Sequence, residues 1–170
     1  MARVASDPVG GTDFDTPIGT CTITWGTHGI VGIQLPDTAR DAAACDDEPP
    51  AEVLAAVDGI RALLRGEACD LSAVPLDMSG VPPFHQRVYE AARTIPAGET
   101  ATYGELAAEA GSPGAARAVG QALGRNPFAI VVPCHRITAA NGKIGGFSAD
   151  GGVATKARLL ELEGTALSSW

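Results

Sequence analysis

The chain has 170 residues, of which 45% are hydrophobic and 19% charged, a balance typical of globular proteins with one large or two small cores. It contains no run of about 18 apolar residues, which excludes a transmembrane helix. Acidic residues and glycines stand near the N-terminus, where a signal peptide needs an apolar segment. We therefore expect a cytoplasmic protein with no membrane partner.

The net charge of −8 is distributed unevenly along the chain. Residues 1–78 carry a balance of −9, residues 79–170 carry +1, and no acidic residue occurs at positions 110–149. A segment without acids can approach phosphates, so the second half could contact nucleic acid. Alternatively, small helices and glycine-rich loops simply carry few charges. Charge alone leaves both interpretations open.

The cysteines predict neither a disulfide framework nor a metal site. Cytosolic thiols are normally reduced, and neither a CxxC pair nor another zinc-ligand spacing occurs. The four cysteines are Cys21, Cys45, Cys69 and Cys134.

Residues 1–78 predict a small α/β domain without catalytic groups. β-formers alternate over residues 21–25 and recur over 30–35, which indicates a hairpin. Apolar residues near helical spacing over residues 51–65 end at Gly66, a typical helix stop. The other predictions for this half are disorder over residues 1–12, a loop or weak helix over 36–50 and a third strand over 71–76.

Residues 79–83 form the predicted boundary with a mostly helical second domain, residues 79–170. Pro83 suits the first position of a helix that continues over residues 84–95. Thr102 and Glu105 have the spacing of a capping box, which opens a second helix that ends near Gly111.

A helix-turn-helix is predicted next, because Ser112 and Pro113 suit the N-cap and first position of a third helix that stops at Gly124. Its side chains are small around Arg117, whereas a major-groove reader carries Asn, Gln or Arg at several exposed positions. Small residues allow close approach to a narrow minor groove. Alternatively, they pack this helix into the core.

Cys134 is the strongest candidate for a reactive group. A β-branched run over residues 130–132 predicts a buried strand that Pro133 terminates, so the thiol is presented at the end of a rigid element. His135 and Arg136 follow, and both favour the nucleophilic thiolate. The alternative is a structural cysteine, since cysteine is among the residue types most often buried.

The residues around Cys134 resemble those of a known family. The run Pro133-Cys134-His135-Arg136-Ile137, the preceding Asn126-Pro127 and the run LLELEG at 159–164 are similar to the O6-alkylguanine-DNA alkyltransferases. The resemblance extends from Phe84 to Gly164, about half of the chain.

The resemblance implies direct-reversal DNA repair. Members of this family transfer the alkyl group of O6-alkylguanine, and of O4-alkylthymine, irreversibly to their own cysteine, once per molecule. The base is flipped out of double-stranded DNA from the minor groove, and no cofactor takes part. The implied fold is a small RNase H-like sheet in residues 1–78 and a winged helix-turn-helix in residues 79–170, in a monomer.

The resemblance also implies catalytic roles. Cys134 attacks the alkyl carbon, and His135 accepts the thiol proton through a water molecule. Glu163 orients His135, with Glu161 as the alternative carboxylate. Tyr103 hydrogen-bonds the flipped base and donates a proton toward its N3, whereas a tyrosine at a helix start otherwise serves packing.

Further residues are implied to contact DNA or the base. Arg117 fills the space that the extruded base leaves, and Asn126 is a hinge between the recognition helix and the active-site turn. The other implied DNA-binding residues are Thr102, Ala115, Ala116, Ala118, Gly120 and Arg125, and the implied pocket residues are Pro133, Ile137, Phe147 and Ser148. Phe147 stands where the family often has Tyr, and the loop before Lys156 is longer than in several members, so we expect an altered pocket.

Three other functions remain as alternatives. A lesion sensor without chemistry would share the fold and the arginine, but those proteins lack the cysteine. A helix-turn-helix regulator would need base-reading side chains on the second helix. A thiol hydrolase would need a protease-like Cys-His order and spacing, which we do not find.

Overall fold

A three-stranded antiparallel sheet opens the fold. The computed structural model describes residues 8–36, 48–67, 69–140 and 152–165. Strands β1 (Gly10–Thr16), β2 (Gly19–Gly26) and β3 (Gly29–Gln34) lie in the order β1-β2-β3. The predicted hairpin of β2 and β3 is confirmed, but the expectation of disorder up to residue 12 is wrong for residues 10–12.

The polar composition of β1 explains why its sequence did not predict a strand. Tertiary contacts order it, above all its pairing with β2. Thr22 donates a hydrogen bond to the Asp13 carboxylate at 2.6 Å, and Phe14 is buried opposite Cys21. Gly10 is required by packing, because a Cβ there would lie 2.5 Å from the Trp25 ring.

Helix α1 (Ala51–Leu64) follows and ends as predicted near Gly66, whose φ is +84°. The third strand predicted over residues 71–76 is wrong, because that segment consists of turns with one isolated bridge between Ile30 and Leu76. Main-chain hydrogen bonds from Ile30 to Pro75 and from Asp77 to Ile30 attach it to the edge of β3. Proline lacks the N–H that a regular strand would need there.

The described part of the second half, residues 79–140 and 152–165, contains four α-helices and a short parallel strand pair. Thr102 and Glu105 form the predicted capping box, with hydrogen bonds of 3.0 and 3.1 Å. The elements are α2 (Pro83–Ala92), β4 (Ala101–Thr102), α3 (Tyr103–Glu109), α4 (Ala116–Gly124), β5 (Ile137–Thr138) and α5 (Gly152–Leu162), with β4 parallel to β5.

Two helix boundaries differ from the predictions. Helix α2 ends at Ala92 instead of residue 95. The Ile95 N–H donates to the Ala92 carbonyl, three residues earlier, in a turn tighter than an α-helix, and Pro96 follows. Helix α4 begins at Ala116, since Ser112 accepts a turn hydrogen bond from Ala115 instead of capping the helix.

The two halves share one hydrophobic core. A contiguous buried cluster joins sheet residues such as Ile23 and Ile33 to Val88 of α2, Val119 of α4 and Leu159 of α5. None of the helices in the described part of the chain is long and apolar enough to span a membrane. The shared core fixes the position of the sheet relative to the turn that carries Cys134.

Candidate active site

Cys134 begins a 3₁₀ turn, Cys134–Arg136, after two sharp reversals of the backbone. Ile130 has a φ of +72°, rare for a β-branched residue, and Val131 donates across it to the Ala129 carbonyl at 2.8 Å. Cys134 donates to the Val132 carbonyl at 2.8 Å around Pro133. The strand predicted over residues 130–132 is therefore wrong, and buried turns present the thiol instead.

Asn126 connects this turn to α4. It follows the last residue of the helix by two positions, its Nδ2 donates to the Val132 carbonyl at 3.0 Å, and its Oδ1 accepts from the Phe128 N–H at 2.9 Å. The next residue, Pro127, accepts a main-chain hydrogen bond from Ile33 of β3 at 2.9 Å. The segment between α4 and the thiol is thus held by side-chain and sheet contacts.

His135, Arg136 and Glu163 form a buried group, here called the ionic cluster. Their side chains are 1%, 8% and 1% exposed. His135 Nε2 lies 2.6 Å from Glu163 Oε1, and the Arg136 guanidinium donates to both Glu163 oxygens at 2.6 to 3.0 Å. Glu163 stands just beyond α5, so this cluster ties the end of α5 to the 3₁₀ turn.

Charge within the ionic cluster fixes the tautomer of His135. Burial alone would raise the pKa of Glu163, but hydrogen bonds from His135 and Arg136 lower it to about 2. Burial lowers the pKa of His135, so the imidazole is neutral at neutral pH. An ionised carboxylate only accepts, so Nε2 carries the hydrogen and Nδ1 is left as an acceptor. Nδ1 is buried without a hydrogen-bond partner among the described residues.

The expectation that Arg136 acts on the thiol is wrong. Its guanidinium binds Glu163 and the Ile95 carbonyl, the latter at 2.7 Å. The cation that lowers the thiol pKa is Lys156, a residue that the sequence did not single out. The sequence did contain a signal for this residue. Lys156 precedes Leu159 by three residues and Leu160 by four, a spacing that places it on the buried face of α5.

Lys156, Cys134, Asn126 and Tyr103 make up a second group, here called the thiol environment. Lys156 is fully buried, its Nζ donates to the Ile137 carbonyl at 2.5 Å, and it lies 5.9 Å from the centre of the Tyr103 ring. Burial lowers the pKa of Lys156 to about 8, although Cys134 opposes that shift.

The half-buried Cys134 thiol experiences opposing effects. Burial raises the pKa of Cys134, while a hydrogen bond from Asn126 and the positive charge of Lys156 lower it. Burial also raises the pKa of Tyr103, with a further contribution from Cys134, so its hydroxyl keeps its proton at neutral pH. The group therefore combines a nucleophile, a cation and a neutral proton donor.

The residues predicted to contact DNA lie in or beside α3 and α4, and all of them are exposed or half-buried. Arg117 and Arg125 are exposed, Ala115, Ala116, Ala118 and Gly120 are half-buried, and Thr102 is half-buried at the start of α3. The residues that α4 buries are Val119, Ala122 and Leu123. Close approach by an external partner is thus possible along the small side chains.

The predicted pocket residues are only partly described. Pro133 and Ile137 are buried beside the thiol, but Phe147 and Ser148 lie outside the described residues. Within residues 8–36, 48–67, 69–140 and 152–165, no three His, Cys, Asp or Glu side chains are grouped as metal ligands. The absence of a metal therefore stays a prediction.

Comparison with known proteins identifies the family. Residues 83–165 match the family model described as 6-O-methylguanine DNA methyltransferase, DNA binding domain. A methylated-DNA–protein-cysteine methyltransferase of Mycobacterium bovis is 43% identical over 151 residues, which cover 88% of this chain and 89% of that protein. The corresponding protein of Methanothermobacter thermautotrophicus is 38% identical, over 89% of this chain and 83% of its own length.

Solved structures agree with these sequence matches. The crystal structure of Mycobacterium tuberculosis OGT in complex with DNA has a TM-score of 0.77 and 41% identity, with 91% of this chain and 92% of that chain covered. The O6-methylguanine-DNA methyltransferase of Pyrococcus kodakaraensis has a TM-score of 0.67 and 29% identity over 92% and 99%. This chain belongs to the methylated-DNA–protein-cysteine methyltransferase family.

Proposed function

We propose that this protein repairs O6-alkylguanine in double-stranded DNA by transferring the alkyl group to Cys134. The observation that carries the proposal is that Cys134 directly precedes a neutral His135 whose Nε2 is bound to an ionised Glu163, while the buried cation Lys156 lowers the pKa of the thiol. Family membership supports the same reaction. O4-alkylthymine is the expected second substrate.

The reaction needs one proton acceptor and one proton donor. His135 Nδ1, which has a free lone pair, takes the thiol proton through a water molecule, and Glu163 stabilises the imidazolium that forms. The Cys134 sulfur attacks the alkyl carbon, the bond from that carbon to O6 breaks, and its electron pair stays with the guanine. Tyr103 gives the guanine a proton at N3 and is reprotonated from His135. The net change moves the thiol proton to the released guanine.

The product explains why each molecule acts once. The alkyl group ends in a thioether, and no group in the described site could hydrolyse it. The reaction needs no cofactor, because the alkyl group moves from guanine to the cysteine sulfur and the thiol proton moves to guanine.

DNA binding is assigned to the surface of α3 and α4. The half-buried small residues of α4 allow its backbone to approach the minor groove, and the exposed Arg117 replaces the extruded base in the stack. Thr102 and Arg125 lie at the start of α3 and after α4, where they reach the phosphates. Phe147 and Ser148 complete the base pocket. The DNA complex of the M. tuberculosis relative supports this choice of partner.

The finer structural assignments form part of the proposal. Residues 1–78 serve as an RNase H-like scaffold and residues 79–170 as a winged helix-turn-helix domain. The antiparallel order of β1, β2 and β3 and the α3–α4 pair support these assignments. A cytoplasmic monomer that needs no metal fits the single-turnover reaction.

Intact mass tests the proposed function. The protein is incubated with a duplex that contains O6-methylguanine, beside a Cys134→Ser variant. A gain of one methyl group per molecule in the wild type, and none in the variant, would establish transfer to this cysteine. No gain in folded, reduced wild-type protein would contradict the proposal and favour lesion binding without chemistry.

A further inference from the structure

Tyr89 of α2 has a buried hydroxyl that is electrostatically coupled to Cys134 but donates its hydrogen bond elsewhere. Its side chain is 1% exposed, and the hydroxyl donates to the Ala122 carbonyl of α4 at 2.6 Å. Burial raises the pKa of Tyr89 to about 12, so the hydroxyl remains a donor at physiological pH. This hydrogen bond links two helices at a single defined point.

The acceptor lies where α4 ends. The last four carbonyls of a helix lack regular helical partners, and Ala122 stands two residues before Gly124, the final residue of α4. The Arg125 N–H also reaches the Ala122 carbonyl, at 3.2 Å, as the chain leaves the helix. Tyr89 thus fastens the end of α4 that leads into Asn126.

The Tyr89 ring contacts the other end of the same connection. It packs edge-on against Phe128, with ring centres 6.4 Å apart and planes at 84°. The Phe128 N–H is bound by Asn126 Oδ1. One side chain therefore contacts both the end of α4 and the segment that leads to Cys134.

Apolar packing and the hydrogen bond from Tyr89 constrain α4 in different ways. The helix buries Val119, Ala122 and Leu123, and apolar packing of such side chains is non-directional. A hydrogen bond at 2.6 Å requires one distance and one direction. A shift of α4 along α2 would break it.

We infer that Tyr89 is a positioning residue for DNA recognition: its hydroxyl sets the placement of α4 and thereby of Arg117 at the opposite end. The inference rests on the proposed function. Tyr89 itself is buried and does not contact the DNA. Its effect is on how well duplex DNA is engaged, and the chemistry at Cys134 is left intact.

The test compares Tyr89→Phe with Gln86→Met. The Phe variant keeps the ring and its contact with Phe128 but loses the hydroxyl. Gln86 lies on the same helix and donates to the Met78 and Val81 carbonyls, away from α4. Single-turnover methyl transfer is measured at increasing duplex concentration, which gives a half-saturating duplex concentration and a limiting rate. The rate of alkylation by iodoacetamide gives the reactivity of the Cys134 thiol in the absence of DNA.

We expect Tyr89→Phe to raise the half-saturating duplex concentration about fivefold, the effect of one lost hydrogen bond. The limiting rate of methyl transfer and the rate of Cys134 alkylation by iodoacetamide should both stay within about twofold of wild type, less than the effect of one hydrogen bond. Gln86→Met should lower the melting temperature without changing half-saturation. Unchanged half-saturation in Tyr89→Phe, equal changes in both variants, or a change confined to thiol reactivity would overturn the inference. Failure of the wild type to accept methyl would instead overturn the proposed function.

Discussion

The ionic cluster and the thiol environment each contain one buried cation, and the two cations have different counter-charges. Arg136 is neutralised by Glu163 through several hydrogen bonds at 2.6 to 3.0 Å. Lys156 faces Cys134, a thiol that carries no charge until it loses its proton. Glu163 thus carries its charge in the resting protein, whereas Cys134 presents a charge to Lys156 only after the thiol has lost its proton.

This difference separates the roles of the two groups. A buried ion pair with every donor satisfied holds its members rigidly, and removing one member leaves an uncompensated charge. A buried ammonium beside a neutral thiol is stabilised when that thiol ionises. The ionic cluster therefore orients His135, and the thiol environment favours the thiolate.

Glu163→Gln should have the largest effect, because it removes the counter-charge of Arg136 and the acceptor that fixes His135. We expect the single-turnover transfer rate to fall about 100-fold or more. The free energy of unfolding should fall by about 3 kcal/mol, since Arg136 stays buried without its partner. Quench-flow transfer assays and urea unfolding measure the two effects.

Glu161→Gln is the matched control for that change. Glu161 is exposed and lies on the same stretch of chain, with its carboxylate 3.9 Å from the Arg158 guanidinium. Its substitution should leave both quantities near wild type. Equal losses in the two variants would mean that Glu163 has no special relation to His135.

Lys156→Met should act on the reactivity of the thiol, and it also removes the hydrogen bond to the Ile137 carbonyl. Without the ammonium, the pKa of Cys134 rises further, and transfer at neutral pH should slow by roughly tenfold for each unit of that rise. Iodoacetamide alkylation of Cys134, followed by intact mass from pH 6 to about pH 10, should show the profile displaced to higher pH. Arg158→Met removes an exposed cation two residues away and should not move the profile. Superimposable profiles for wild type and Lys156→Met would assign the thiol's reactivity to other groups.

The smallest effect is expected in how the stability that the ionic cluster provides depends on acid pH. Burial lowers the pKa of His135, so below pH 6.5 the unfolded chain binds a proton at this histidine more readily than the folded chain. The free energy of unfolding therefore falls as the pH drops below 6.5. The pKa of Glu163 is depressed from 4.5 to about 2, so its stabilisation is complete above pH 4.5 and is lost as the pH falls toward 2. Urea unfolding should show the wild type losing on the order of 2 kcal/mol more than Glu163→Gln between pH 5 and pH 3. Parallel curves for the two proteins would contradict a strongly depressed Glu163.

Local signals in the sequence predicted much of the fold. The β2–β3 hairpin, the end of α1 near Gly66, the start of α2 at Pro83 and the capping box of α3 all follow from residues close together in the chain. Caps, prolines and alternating β-formers act over a few residues, so their effect can be read without the tertiary structure. Strand β1 and the turns before Cys134 were not predicted, because cross-strand partners and the core determine their conformation.

By itself, the sequence singled out a candidate reactive cysteine in a Pro-Cys-His-Arg run, and the family resemblance added a distant glutamate and a tyrosine at a helix start. Only the tertiary structure decided how the charges are shared among them. It assigned Arg136 to Glu163 and Lys156 to Cys134, and it placed Tyr89 under the end of α4. The reason is physical: a buried charge or hydroxyl takes the partner that folding places within reach, and neighbours in sequence need not be that partner.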